Sequence, residues 1–98
     1  MADELRLETF APHVGSVFAL REEGADELAL TLVAADALPA PPGDLGRPPF
    51  SLEFEGPQEP VHPQATVALH HDALGTLEIF IVPIGQDAHH ARYQAVFT

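Results

Sequence analysis

Apolar and polar residues alternate with a period of two along most of this chain, a pattern typical of β-strands with one buried face. The clearest alternation lies in 50–55, where two Phe and one Leu alternate with Ser and two Glu. Segments 16–22 and 26–33 alternate in the same way on either side of a Gly-containing turn, which predicts a β-hairpin. Three further strands are predicted at 65–71, 76–83 and 91–97.

The N-terminal part has a different pattern. Residues 9–15 read Thr-Phe-Ala-Pro-His-Val-Gly, which predicts one short helical turn, capped by Thr9 and closed by Gly15 in a left-handed conformation. The predicted fold is therefore all-β. We expect a single domain over 1–98, a small barrel or sandwich of about six mostly antiparallel strands with one short N-terminal helix over an end.

A proline-rich segment, 38–49, separates the hairpin from the strand at 50–55. Proline lacks the amide donor that a sheet needs, so we expect this segment to be a stiff surface connection. It would present Leu45 and Arg47 with little conformational entropy to lose on binding. These two residues are therefore candidates for contact with a partner.

The strand segment 77–82 differs from the others because both of its faces are apolar. Leu77, Ile79 and Ile81 lie on one face of the strand. Phe80 and Val82 lie on the other face, together with Glu78. One explanation is a central strand whose second face is covered by the N-terminal turn or the proline-rich segment. The other is an interface, formed by Phe80 and Val82, with a partner or a second copy of the chain.

Charge narrows the classes of partner. The chain has 98 residues, with 4 Lys+Arg against 15 Asp+Glu and a formal net charge of −11. It has no basic patch that could bind nucleic acid or an anionic membrane. Its acidic residues are spread evenly along the chain, which is typical of a solvated surface that keeps a protein soluble. No apolar run is long enough for a membrane span, and the N-terminus is acidic where a signal peptide is basic. We therefore expect a cytoplasmic protein.

Catalysis has little support in the sequence. No cysteine is present, and neither serine lies in a G-x-S-x-G motif. Glu53 and Glu55 share one strand face, but an exposed face explains the pair without acid–base chemistry. No nucleotide-binding motif occurs. We expect a protein that is not an enzyme, that uses no cofactor and that has no catalytic residue.

Histidine is the one chemically enriched residue type, with six in the chain. Imidazole binds zinc and similar metals, but the ligands must converge. Adjacent strand residues point to opposite faces, so His70 and His71 cannot both bind one ion from a regular strand. The predicted antiparallel order of the last three strands also puts this pair at the opposite end of the sheet from His89 and His90.

One metal cluster remains after these geometric tests. His62 precedes the strand at 65–71, at the same end as His89 and His90, and Asp87 is close to that pair in sequence. The candidate metal ligands are therefore His62, His89 and His90. Solvated turn histidines are the other explanation.

Several stretches resemble a bacterial family of small single-domain proteins of unknown function. They are Phe10 to Gly15 with Phe18; Pro49 to Leu52, Phe54 and Gly56-Pro57; Pro63-Gln64 leading to Leu69 and His71; Leu74-Gly75; Phe80 to Gly85; and Tyr93 to Phe97. The most specific part is Phe-Ile-Val-Pro-Ile-Gly followed by Tyr-Gln-Ala-Val-Phe. The resemblance implies no catalytic signature. It implies an accessory or assembly role in phage-tail-like or collar-type systems.

The leading hypothesis is a non-catalytic protein-interaction or assembly module with a protein partner, and a homo-oligomer is compatible with it. The alternative is a small β-barrel that binds a small ligand or a metal, either in its interior or at the histidine-bearing end. A concave pocket lined by converging polar groups would favour the alternative, and a filled barrel would favour the interaction module.

Overall fold

The strands that the sequence predicts are present in the computed structural model, which describes residues 6–22, 24, 27–39, 49–58 and 61–97. The elements within these ranges are helix α1 (Leu7–Phe10), a 3₁₀ turn (Ala11–His13), and strands β1 (Val17–Leu20), β2 (Leu28–Ala37), β3 (Phe50–Pro57), β4 (Ala65–His71), β5 (Gly75–Gln86) and β6 (His90–Phe97).

The six strands form one closed barrel in the order β1-β2-β3-β6-β5-β4, and every neighbouring pair is antiparallel. The all-β prediction is confirmed, and the open choice between barrel and sandwich is decided for the barrel. The closing contact between β1 and β4 is short. It pairs Ala19 with His70 and Leu20 with Leu69, whereas β4 and β5 pair along the whole of β4.

Alternate residues of each strand fill the barrel interior because successive side chains point to opposite faces of a sheet. Ile79 and Ile81 on β5 and Tyr93 on β6 are at most 1% exposed. Among the described residues, Ser51 is buried with 8% exposure, and the hydrophobic cluster of the core is apolar apart from the Tyr93 hydroxyl. That hydroxyl lies 2.8 Å from the backbone nitrogen of His62 and accepts its hydrogen bond. These buried side chains fill the barrel interior, as is usual for a barrel of this size.

The N-terminal turn closes one end of the barrel. Phe10, at the end of α1, is fully buried, and its ring lies within 6.4 Å of the rings of Phe18, Phe50 and Phe97. This confirms the prediction of one short helix over an end. We call α1 together with the 3₁₀ turn the N-terminal plug. Aromatic burial holds the plug in place, since a helix this short has little stability of its own.

The capping of the plug differs in detail from the prediction. The N-cap is Arg6, and Thr9 lies inside the first turn, where its hydroxyl accepts the Arg6 backbone N–H at 3.2 Å. Thr9 therefore supports the helix start from within the helix. Gly15 has a φ of 97°, the left-handed conformation that closes the turn as predicted.

Strand β5 is longer than predicted. It continues beyond Pro83 to Gln86 through an irregularity between Pro83 and Gly85, where the register with β6 shifts. Pro83 still pairs with Tyr93, and the register shift that follows it skips Ile84 and lets the strand continue to Gln86.

The proline-rich segment connects β2 to β3, and the structure describes only its two ends. The Leu38 amide donates to the Pro49 carbonyl at 3.0 Å, which brings these ends together. Leu45 and Arg47 lie outside the described residues. Among the residues that the structure does describe, no helix is long and apolar enough to cross a membrane.

Candidate functional site

The outer wall of β5 and β6 carries exposed apolar side chains. Phe80 and Val96 are each 51% exposed, and Val82 is half-buried. Val82 pairs with Gln94 across the two strands, Phe80 lies two residues before Val82 on β5, and Val96 lies two residues after Gln94 on β6. We call Phe80, Val82 and Val96 the outer apolar patch.

The residues around the outer apolar patch are mostly polar, although Ile84, two residues after Val82 on β5, is 46% exposed. Thr66 of β4 pairs with Phe80 and is exposed, and Gln94 separates Val82 from the β3 side of the barrel. Glu78 precedes Phe80 on the same outward face of β5 and is exposed. An apolar centre with a polar border is the usual layout of a protein-contact surface.

The N-terminal plug does not cover the outer apolar patch. Its aromatic residue packs at the barrel end against Phe18, Phe50 and Phe97, and the helical segment contacts β2 on the other side of the barrel from β5. In the described part of the chain, Phe80 thus stays half exposed. The inward face of β5 is buried, so the two apolar faces of this strand have different environments.

The charged residues on the barrel wall are partly paired with one another. Arg21 bonds Glu27 at 2.6 Å near the start of the β1–β2 connection. Arg92 on β6 lies 3.0 Å from Glu55 and 4.0 Å from Glu53, both of which are on β3. These exposed ion pairs contribute little to stability. They do occupy two of the four arginines, so the wall offers acidic groups in excess.

Of the three predicted metal ligands, only His90 belongs to a group of converging ligand atoms among the described residues. Ligand atoms of Glu55, Asp87 and His90 lie within 4.8 Å of one another. We call these three residues the carboxylate–histidine cluster. His62 and His89 are not members of it. The barrel pairing explains this geometry, because β3 runs beside β6 with Pro57 opposite His90, which brings Glu55 within reach.

His62 has other partners. Its Nε2 lies 2.6 Å from a carboxylate oxygen of Glu22, and its Nδ1 lies 2.6 Å from the Pro63 carbonyl oxygen. Both ring nitrogens therefore face acceptors. With its backbone N–H bonded to Tyr93, His62 ties the segment before β4 to the barrel.

The β5–β6 turn holds Asp87 in a fixed position. One carboxylate oxygen accepts the backbone N–H groups of His89 and His90, each at 2.8 Å. These two bonds are the main cause that lowers the pKa of Asp87, because they favour its ionised form. The turn therefore presents a charged carboxylate beside His90. Sequence spacing indicated the nearness of Asp87, but nothing in the sequence pointed to Glu55 as a third ligand.

His70 and His71 lie at the end of β4 where the plug sits, whereas His90 pairs with the other end of β3. The prediction that the two adjacent-histidine pairs occupy opposite ends of the sheet agrees with this register. His70 Nδ1 lies 2.7 Å from the Thr76 hydroxyl.

The structure is that of a small, closed, antiparallel β-barrel domain, and packed side chains fill the interior formed by the described residues. The outer apolar patch and the carboxylate–histidine cluster lie on its outer surface. The chain belongs to a family described as a domain of unknown function (DUF6916), whose model matches residues 5–97. No curated protein and no solved structure matches the chain.

Proposed function

We propose that this domain is a non-catalytic protein-interaction or assembly module that works in the cytoplasm and binds its partner through the outer apolar patch. The observation that carries the proposal is the position of Phe80, which is half exposed on the outer wall of β5, where burial in the core does not require an apolar side chain. Aromatic side chains dominate protein interfaces because they bury a large area at a low entropic cost.

The charge of the domain favours a particular kind of partner. With a net charge of −11, two copies of the chain repel each other, and Glu78 lies next to Phe80 on the same face. A partner with an apolar surface bordered by Lys or Arg would match both the patch and the acidic groups around it. We therefore propose a basic protein partner in preference to a second copy. An accessory role in an assembly, which the family resemblance implies, is compatible with such a partner.

The experiment is site-specific photo-crosslinking in the native host. A photoreactive residue at position 80 is compared with one at Ala29, an exposed residue on β2, the strand opposite β5 in the barrel. We expect a defined partner to crosslink from position 80 and not from position 29. Capture from both positions to the same extent would contradict the proposal.

The crosslinked partner is then purified and titrated with three forms of the domain. Phe80→Ser should weaken binding by about tenfold or more, as loss of a central aromatic anchor does. Val17→Ser is the matched control, since Val17 is 53% exposed but lies on β1. It should leave the affinity unchanged. Raised salt should weaken binding if basic groups of the partner face the acidic wall. Equal affinity of the native domain and Phe80→Ser would end the proposal.

Metal binding is the second candidate function, and the carboxylate–histidine cluster is the observation that favours it. Three ligand atoms within 4.8 Å are close enough to reach one divalent ion, and water would complete its coordination. Calorimetry with Zn²⁺ should then give weaker binding for His90→Gln and unchanged binding for His89→Gln. Asp87→Asn keeps an oxygen acceptor for the turn amides and removes the charge, so it should also weaken binding. Equal effects of the two histidine variants would contradict a site at this cluster.

A further inference from the structure

The imidazole of His71 holds the turn between β4 and β5. Its Nδ1 accepts the backbone N–H of Ala73 at 3.0 Å and that of Leu74 at 3.2 Å. A nitrogen that accepts two hydrogen bonds carries no proton, so the ring is the neutral form with its proton on Nε2. Leu74 packs against the buried core, so this small turn is anchored to the barrel at two points.

The same ring also contacts the N-terminal plug and the core. The His71 ring lies 4.5 Å from the Phe18 ring at an interplanar angle of 35°, and Phe18 is fully buried. The His13 ring, from the 3₁₀ turn, meets it edge-on at 4.6 Å. Phe18 in turn contacts Phe10. One imidazole therefore joins the plug, the core and the β4–β5 turn.

We propose that His71 is a pH-sensitive latch, which fastens the β4–β5 turn and the N-terminal plug to the barrel when neutral and releases both when protonated. A proton on Nδ1 removes the acceptor for both turn amides at once. It also places a positive charge on His71 against the ring of His13, 4.6 Å away. The switch uses bonds already present and needs no ligand.

The charged groups around His71 come from several elements. His13 faces it from the 3₁₀ turn, and Asp72 follows it in the chain. An open cavity of about 380 Å³ next to the ring is lined by other charged or titratable groups, Arg21 from β1 and His70 from β4. Arg21 is already bonded to Glu27, and His70 to Thr76. Of these groups only Asp72 favours a charged His71.

The pH window follows from the direction of the pKa shift. Removal from water lowers the pKa of His71 below its ordinary value of 6.5, His13 lowers it further, and Asp72 raises it in part. The unfolded chain therefore takes up this proton more readily than the folded one. The stabilising effect of neutral His71 is complete above pH 6.5 and is lost as the pH falls below that value.

The test is amide hydrogen exchange of Ala73 and Leu74, corrected for the intrinsic pH dependence, at pH 7.5 and pH 5.0. We expect their protection to fall by about fivefold or more at the lower pH, as local opening becomes easier. His71→Asn is the decisive variant, because the Asn oxygen can accept the same N–H groups and does not titrate. Its protection should not change with pH. His70→Asn is the matched control and should behave like the native chain.

If His71→Asn folds poorly, NMR titration of His71 in the native chain provides an independent test, because it measures the pKa of this side chain directly. The native chain should give a pKa below 6.5 for His71, and His13→Asn should raise that pKa by removing a like charge. A purely structural role for His71 would not predict the second shift. A pKa at or above 6.5, or turn protection that is the same at both pH values, would overturn the latch.

Discussion

Gly56 shows how closely the barrel interior is packed at a single residue. A Cβ atom added there would lie 2.6 Å from the Cδ2 atom of Leu30, which is closer than real Cβ contacts allow. Leu30 is fully buried on the neighbouring strand β2, so its side chain has little free space to move into. Leu30 lies across the β2–β3 ladder from Gly56, because its neighbour Thr31 pairs with Glu55, the neighbour of Gly56, in this antiparallel register.

We expect Gly56→Ala to destabilise the domain by about 1–3 kcal/mol, the usual cost of overpacking a filled core. The measurement is urea unfolding followed by circular dichroism. The control is a double-mutant cycle with Leu30→Val, which removes the clashing Cδ2 atom. Gly56→Ala should cost less in the Leu30→Val background than in the native one. Equal costs in both backgrounds would show that the contact with Leu30 is not the reason for glycine at this position.

The sequence could predict residue environments along one strand but not contacts between strands. Alternation correctly put Ile79 and Ile81 on one face of a strand and Phe80 on the other, because a period of two is a local property. Glu55 was not predicted as a neighbour of His90, because that contact depends on β3 lying beside β6. Adjacency of strands distant in sequence is set by barrel closure, which no local pattern encodes.

At the scale of the element, the N-terminal plug has one fully buried side chain, that of Phe10. Phe10 is the buried residue of α1, and its ring contacts three other aromatic rings at the end of the barrel. Helix propensity cannot hold a segment of four residues, so tertiary contacts must hold the plug in place, and the burial of Phe10 is one of them. Removing the ring should therefore weaken the attachment of the whole plug.

We expect Phe10→Ala to lower the free energy of unfolding by about 3–5 kcal/mol, the cost of a large cavity in a core. Phe80→Ala is a control with the same chemical change on an exposed surface, where Phe80 is 51% exposed. It should cost far less. The measurement is chemical denaturation of the two variants and the native chain under the same conditions. Similar costs for both variants would mean that the plug contributes little to stability.

The elements differed in how far the sequence predicted them. The strand at 65–71 was predicted with the bounds of β4, because alternation starts and stops cleanly there. The end of β5 was predicted too early at Pro83, since a bulge is a pairing arrangement and leaves only a weak mark in one strand's sequence. The plug was recognised from its turn residues. Its cap residue was not, because Thr9 works from inside the helix.

At the scale of the whole molecule, the dominant electrostatic feature is the excess of acids. The chain carries 15 Asp+Glu against 4 Lys+Arg, and Arg21 and Arg92 already pair with acids on the barrel wall. The remaining carboxylates repel one another across a small barrel. Such self-repulsion keeps a domain soluble and opposes its compact state. Composition alone predicted this, since net charge does not depend on the fold.

Salt should therefore stabilise this domain. Raising NaCl from ~20 mM to ~500 mM shortens the screening length from roughly 20 Å to below 5 Å, which weakens repulsion between carboxylates across the barrel. The same salt also weakens the two exposed arginine pairs, but these contribute little. We expect the midpoint of thermal unfolding at pH 7.5 to rise by several degrees with salt.

A charge variant separates repulsion from a general salt effect. Glu78→Lys changes an exposed residue on the outer wall and reduces the net charge from −11 by two units. It should unfold at a higher temperature than the native chain in low salt and gain less from added NaCl. Choline chloride in place of NaCl should give the same rise, because screening depends on ionic strength and not on the identity of the cation. A midpoint that falls with salt would mean that the arginine pairs outweigh the repulsion among the acids.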